Sequence, residues 1–254
     1  MVNALPHHIS LRIGEMLGMF LGSLARRDDR LMRRNLELCF AEPPTNRRCW
    51  ADLGRRFIEV LCPAPSLKNF TLSPNAKKCL AQAQASGEGV LVATAHLGNW
   101  ELMAAALAQS GYGVFAIRGR VPRGPLGHWL EHQRSSLGVE TAGVGYGARR
   151  ALERLNAGES VGLFVDQTTG ERSRLVEFMG RPTATPMTYE RLLKLSSAIP
   201  LLIWNTRRHD GTYVIEAERV PADARPLEWL SARISSIIAQ WPTQWVWIHD
   251  RWKS

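Results

Sequence analysis

Hydrophobic positions divide the chain into a helical opening and a long remainder in which strands and helices alternate. Leu5, Ile9, Ile13, Leu17, Phe20 and Leu24 recur at three- and four-residue intervals, the spacing of one helical face. Gly14, Gly18 and Gly22 occupy every fourth position on a neighbouring stripe. Glycine in an exposed helix costs about 1 kcal/mol relative to alanine. Three in register therefore predict close backbone approach, to another helix or to a lipid surface. An arginine-rich run (Arg26, Arg27, Arg30, Arg33, Arg34) leads into a second amphipathic helix, which Pro43-Pro44 ends. Residues 48–61 read as a third helix, stopped by Pro63 and Pro65, and 75–85 as a fourth, closed by Ser86-Gly87.

From Gly89 onward the pattern changes. Short apolar, β-prone runs at 90–94, 114–117, 161–165 and 200–205 predict buried parallel strands. Residues 213–218 alternate like a half-buried strand. Helical stretches fall at 100–109, 126–137, 148–156, 187–195 and 227–240. The expected fold is α/β, with a mainly parallel central sheet and helices on both faces. The expected organisation is an N-terminal helical, membrane-associating segment, 1–72, integrated with an α/β domain, 73–254. In such sheets ligands bind at the carboxyl ends of the strands, which directs attention there.

Composition narrows the class without choosing a function. The 254 residues are 45% hydrophobic and 22% charged, ordinary for a globular protein and unlike a disordered or collagenous chain. Lys and Arg total 32 against 23 Asp and Glu, a net charge of +9, which favours an anionic partner. Cys39, Cys49, Cys62 and Cys79 show no C-x-x-C spacing and read as free thiols. The first apolar stretch is interrupted by Arg12 and Glu15, and no secretory signal or spanning run is visible. These features predict a cytoplasmic protein resting on a membrane, with no transmembrane helix. His128 and His132 have helical metal-ligand spacing but no evident third ligand, so no metal is expected. No nucleotide-type glycine loop appears, and no basic stripe interleaved with aromatics, so nucleic acid is not an expected partner.

The strand ends carry the candidate chemistry. The first strand runs into His96-Leu97-Gly98-Asn99-Trp100-Glu101, which places a histidine just past a buried strand and a carboxylate in the first turn of a helix. Glu101 is then expected to accept from one imidazole nitrogen, leaving the other as a general base. Asp166 and Gln167 end another strand at the same sheet edge, either lining the site or shaping a loop. Trp245, Trp247 and Trp252, with His249, Arg251 and Lys253, form either a structural closing strand or an interfacial patch.

Residues 89–101, Gly-Val-Leu-Val-Ala-Thr-Ala-His-Leu-Gly-Asn-Trp-Glu, resemble the signature block of the LpxL/HtrB-type lipid A acyltransferases, within the H-x4-D/E superfamily of glycerolipid acyltransferases. Further blocks agree in order and spacing: Asn35 to Phe40; Arg120 to Leu126 followed by Arg134 and Gly138; Gly162 to Gln167; Phe178 to Pro182; and Trp245 to Lys253. The resemblance spans residues 35 to 253. It implies transfer of a fatty acyl chain from an acyl thioester, acyl carrier protein or coenzyme A, to a hydroxyl of a lipid acceptor such as a lipid A precursor, at the cytoplasmic face of the bacterial inner membrane and without a cofactor. Ornithine lipids, other glycolipids and polyene lipids are alternative acceptors, and a silent lipid- or carrier-binding protein on the same fold is the non-enzymatic reading. The expected catalytic pair is His96 and Glu101. Gly98 and Asn99 main-chain N–H groups, or Arg120, are alternative oxyanion donors, and Arg120 also suits a phosphate. Asp166, Gln167 and Arg251 complete the expected substrate-binding set. Family members usually begin with an additional hydrophobic anchor, so attachment here is expected to be peripheral, through the first helix lying on an anionic membrane.

Overall fold

A computed structural model describes residues 6–118, 124–143, 147–168 and 172–252. The helices are α1 (His7–Leu24), α2 (Arg26–Cys39), α3 (Asn46–Leu61), α4 (Pro63–Leu67), α5 (Pro74–Ser86), α6 (Trp100–Gln109), α7 (Pro125–Ser136), α8 (Gly147–Asn156), α9 (Thr188–Leu195) and α10 (Pro226–Gln240). The strands are β1 (Phe70–Leu72), β2 (Val90–Thr94), β3 (Val114–Arg118), β4 (Val139–Gly143), β5 (Ser160–Phe164), β6 (Ser173–Phe178), β7 (Arg181–Pro186), β8 (Ile199–Arg207) and β9 (Tyr213–Arg219). Seven strands form one sheet in the order β1-β9-β8-β2-β5-β3-β4. Pairing is parallel from β8 to β4, while β9 runs antiparallel to β8 and parallel to β1. The expected α/β fold is thus the observed one.

Alternating side chains divide the core between the two sheet faces. Leu91, Ala93, Val161, Leu163, Phe115 and Ile117 pack on one face, in a cluster that includes residues of α8, α9, α10 and the C-terminal tryptophans. Val90, Leu201, Ile203 and Ile215 pack on the other, against residues of α5 and α6. Four strands went unread in the sequence. β1 and β4 are edge strands, β1 of only three residues and β4 with little apolar content, and β6 and β7 form a separate antiparallel hairpin. That hairpin turns at Met179-Gly180, both at positive φ. The turn is hard to foresee because methionine stands where asparagine or glycine is the usual signal. The C-terminal tryptophans do not form a closing strand. They follow a 3-10 turn (Pro242–Gln244), and Trp245 makes only an isolated bridge with Leu97.

Helix α1 inverts the usual amphipathic arrangement. In α1 the buried positions are Ser10, Gly14, Gly18 and Gly22, while Ile9, Ile13, Met16, Leu17, Phe20, Leu21 and Leu24 are exposed. The glycine stripe meets α3, where a Cβ at Gly18 would collide with the Trp50 carbonyl and the Gly54 backbone. The close approach expected from the glycine spacing is therefore between two helices. An ion pair between Glu15 and Arg55 crosses the same interface. Among the described residues no helix is long and apolar enough to cross a membrane.

Gly18→Val is expected to pry α1 from α3 and lower the unfolding free energy by at least the roughly 1–3 kcal/mol typical of overpacking. Urea unfolding of the variant checks this, and a wild-type midpoint would show that the helices do not depend on backbone contact.

Candidate active site

Parallel pairing of β2 with β5 brings the two strand ends together. Thr94 is opposite Phe164, and Val165 N–H donates to the Thr94 carbonyl at 3.1 Å. Two residues further along each strand lie His96 and Asp166. Asp166 is completely buried and receives three bonds: from His96 main-chain N–H at 2.7 Å, from Trp245 Nε1 at 2.8 Å, and at His96 Nδ1 at 2.9 Å. Burial alone would push this carboxyl up. The charge and hydrogen bonds of His96, with the Trp245 indole, hold it below its ordinary value of 3.8. An ionised carboxylate only accepts, so Nδ1 carries a proton in either state of the ring, and in the neutral imidazole Nε2 is left as the acceptor. The ring stacks on Phe164 with centroids 4.1 Å apart and meets Trp100 edge-on at 5.1 Å. Its side chain keeps 21% of its surface exposed, enough to meet a ligand.

Glu101 does not reach His96, contrary to the expectation from H-x4-E spacing. Its carboxylate forms a two-pronged pair with Arg134 of α7, Nε to Oε2 at 2.9 Å and Nη2 to Oε1 at 2.5 Å. Trp100, one residue earlier in the helix, packs against the imidazole, and Glu101 lies about 100° further round the axis. The carboxylate bonded to the imidazole is that of Asp166, just past the end of β5.

The main-chain donors proposed for an oxyanion are also engaged. Gly98 N–H bonds the Gln244 carbonyl at 3.0 Å, and Asn99 N–H bonds Asn205 Oδ1 at 2.9 Å. Gly98 has φ +60°, and a Cβ there would strike Asn205. Asn99 Oδ1 caps α6 by accepting from Leu102 N–H at 3.3 Å. These two residues shape the turn and are not open to an oxyanion. Arg120 lies outside the described residues.

Arg251 is almost fully buried and braces the structure around Asp166. Nη1 donates to Thr168 Oγ1 at 2.8 Å and Nη2 to Thr185 Oγ1 at 2.8 Å. Burial brings its pKa down to about 10, against the raising effect of Asp166. With these donors spent inside the protein, it ties the 166–168 segment to β7 and does not present a fork to substrate. Gln167 is half-buried. Trp245 and Trp247 are completely buried and Trp252 nearly so, so none of the three forms an interfacial patch.

An apolar cavity of about 100 Å³ runs beside the site, across one sheet face beneath α6. Thr94, Trp100, Phe164, Glu101 and Arg134 line it near the strand carboxyl ends, and Leu80, Val90, Tyr112 and Val114 near the opposite ends. Ala116 and Gly162 leave the floor open, since a Cβ at Gly162 would meet only the Phe115 carbonyl, 3.9 Å away. Phe164 and Trp100 thus contact His96 on one side and the cavity on the other.

Asp166 also sets a sign for pH dependence. A carboxyl depressed in the folded state contributes stability that is intact above its unfolded pKa and is lost as pH falls through its folded one. Asp166→Asn is expected to lower the unfolding free energy by about 2–3 kcal/mol at pH 7, where the charge-assisted bonds are in place. The deficit should shrink below about pH 4, the unfolded carboxyl's range. Urea unfolding at both pH values checks this; an equal deficit at both would exclude the carboxylate charge as its source.

Comparison with known proteins matches the chain to an enzyme family. The profile of bacterial lipid A biosynthesis acyltransferases matches residues 1–254. The chain is 25% identical over 278 residues to the lipid A biosynthesis lauroyltransferase of Escherichia coli K12, covering all of this chain and 88% of that protein. It is also 25% identical over 272 residues to the palmitoleoyltransferase of the same strain, covering 98% and 87%. A phosphatidylinositol mannoside acyltransferase of Mycobacterium tuberculosis is 28% identical over 182 residues, covering 68% of this chain and 57% of that one. The chain belongs to the bacterial lipid A biosynthesis acyltransferase family, whose members are enzymes that acylate a lipid.

Proposed function

We propose that the protein transfers a fatty acyl chain from a thioester of acyl carrier protein or coenzyme A to a hydroxyl of a lipid A precursor, with His96 as general base. The observation that carries this reading is the His96–Asp166 pair beside a slender apolar cavity. His96 Nε2 takes the proton from the acceptor hydroxyl as its oxygen attacks the thioester carbonyl. The tetrahedral intermediate collapses, the C–S bond breaks, and the imidazolium returns the proton to the departing sulfur. The products are an ester and a free thiol. Asp166 holds the tautomer and stabilises the imidazolium, in the way a triad carboxylate serves its histidine. No covalent acyl-enzyme is needed. The acyl chain lies in the cavity, and the Glu101–Arg134 pair fixes α6 to α7 at its polar end. Arg120 remains the candidate for the oxyanion or a phosphate.

The likeness to a phosphatidylinositol mannoside acyltransferase supports a second reading, in which the acceptor is another glycolipid. Purified full-length protein, offered acyl carrier protein and coenzyme A thioesters with a lipid A precursor or a phosphatidylinositol mannoside, separates the two by mass spectrometry of the lipid product. His96→Ala is expected to lose at least the roughly 10²–10⁴-fold that a general base contributes, with the fold retained. Near-wild-type turnover would remove His96 from the mechanism.

Gly162→Leu fills the cavity floor and is expected to shift the preferred donor toward shorter acyl chains. Competition between thioesters of different length reads this directly, and an unchanged preference would place the acyl chain elsewhere.

The same reading puts the protein at the cytoplasmic face of the inner membrane, with the exposed apolar face of α1 on the bilayer beside the arginines of α2. Exposed apolar patches of this kind mark interaction surfaces. Sedimentation with phosphatidylglycerol-containing vesicles is expected to exceed that with neutral ones, to weaken with salt, and to fall on Phe20→Glu. Indifference to both lipid charge and Phe20→Glu would remove α1 as the contact.

A further inference from the structure

Two buried charged side chains of α3 reach the turn that carries His96. Arg56 Nη1 donates to the Gly98 carbonyl at 2.8 Å and to the Gln244 carbonyl at 3.1 Å. Its Nε lies 3.0 Å from Asp52 Oδ2, and its guanidinium sits over Trp100, 5.4 Å from the ring centroid. Three residues along the same helix face, Glu59 Oε2 accepts from Asn99 Nδ2 at 2.9 Å and from Tyr213 Oη at 2.7 Å. Both side chains are at least nine-tenths buried. The two points they grip lie two and three residues after His96, and Trp100, which follows, packs against the imidazole.

We propose that Arg56 and Glu59 are positioning residues for acyl transfer, clamping the His96–Asn99 turn from α3 so that the imidazole is held at its working angle. This rests on the acyl-transfer reading above for its kinetic consequences, but the clamp itself is a property of the folded chain. Its two halves differ in chemistry. Glu59 is exposed to titration: burial raises its carboxyl from the ordinary 4.5 to about 7, with Asp52 adding to the rise and the bonds from Tyr213 and Asn99 and the charge of Arg56 opposing it. The charged and titratable groups around it are Asp52 and Arg56 on its own helix, Tyr213 on β9, and Arg207 on β8, which holds Asp52 at 2.9 Å. Near neutral pH, protonation of Glu59 weakens its hold on the Asn99 amide and loosens the turn.

The test is made on the full chain, as wild type, Glu59→Gln and Arg56→Lys. By amide NMR, the Asn99 side-chain and Gly98 main-chain signals of wild type are expected to titrate with a midpoint near 7, and this titration is expected to vanish in Glu59→Gln. An identical titration in both proteins would overturn the link between Glu59 and the turn, whether or not the chain transfers acyl groups. In the kinetic arm, Glu59→Gln and Arg56→Lys are each expected to lower kcat about tenfold while KM stays within about twofold, because a misaligned base costs rate and not binding. Wild-type kcat in both variants would overturn the positioning role. Absence of turnover in the wild type itself would count against the acyl-transfer reading, and the NMR arm would still decide the clamp.

Discussion

A fully buried carboxylate organises the site. Asp166 lies at the carboxyl end of a central strand, where desolvation is severe, and its charge is sustained by donors from two other parts of the chain. His96 supplies both a main-chain and a ring nitrogen, and Trp245 brings in the C-terminal segment. A buried charge persists only when it is paired and hydrogen-bonded. The loop after β2, the loop after β5 and the closing tryptophans must therefore be in place together. Arg251 extends the constraint to the β6–β7 hairpin through Thr168 and Thr185.

The helices at the N terminus join the same framework. Glycines let α1 lie backbone to backbone on α3, which turns the apolar side chains of α1 outward. The opposite side of α3 sends Arg56 and Glu59 into the turn after His96. One helix thus packs against the helix that carries the proposed membrane-facing surface and also supports the turn of the proposed base. The small residues of α1 make the short interhelical distance possible, and Arg55 of α3 pairs with Glu15 across it.

Much of the architecture was legible because it is written in local periodicity. The glycine stripe announced a close backbone approach, to a helix or to lipid, and apolar runs such as 90–94 and 161–165 marked buried strands. Among the elements that went unread, β1 is only three residues long, and β4 and the β6–β7 hairpin have weak apolar patterns or an unconventional turn at Met179-Gly180. For the site, the sequence located His96 and Asp166 at strand ends but paired the histidine with Glu101, which is near in sequence. Strand order decides the pairing. β5 lies beside β2 although two strands intervene in the chain, and that adjacency is not visible in spacing. The same holds for Arg56 and Glu59, whose partners lie 42 and 40 residues away and carry no local mark.

The central claim is that Asp166, and not Glu101, fixes the imidazole with its proton on Nδ1. Nitrogen-15 NMR of the histidine ring, recorded at a pH where His96 is neutral, tests this most directly. The account predicts a protonated Nδ1 and an unprotonated Nε2 in wild type, unchanged in Glu101→Gln and lost in Asp166→Asn. A proton on Nε2 in wild type, or a tautomer that changes with Glu101→Gln and not with Asp166→Asn, would contradict it.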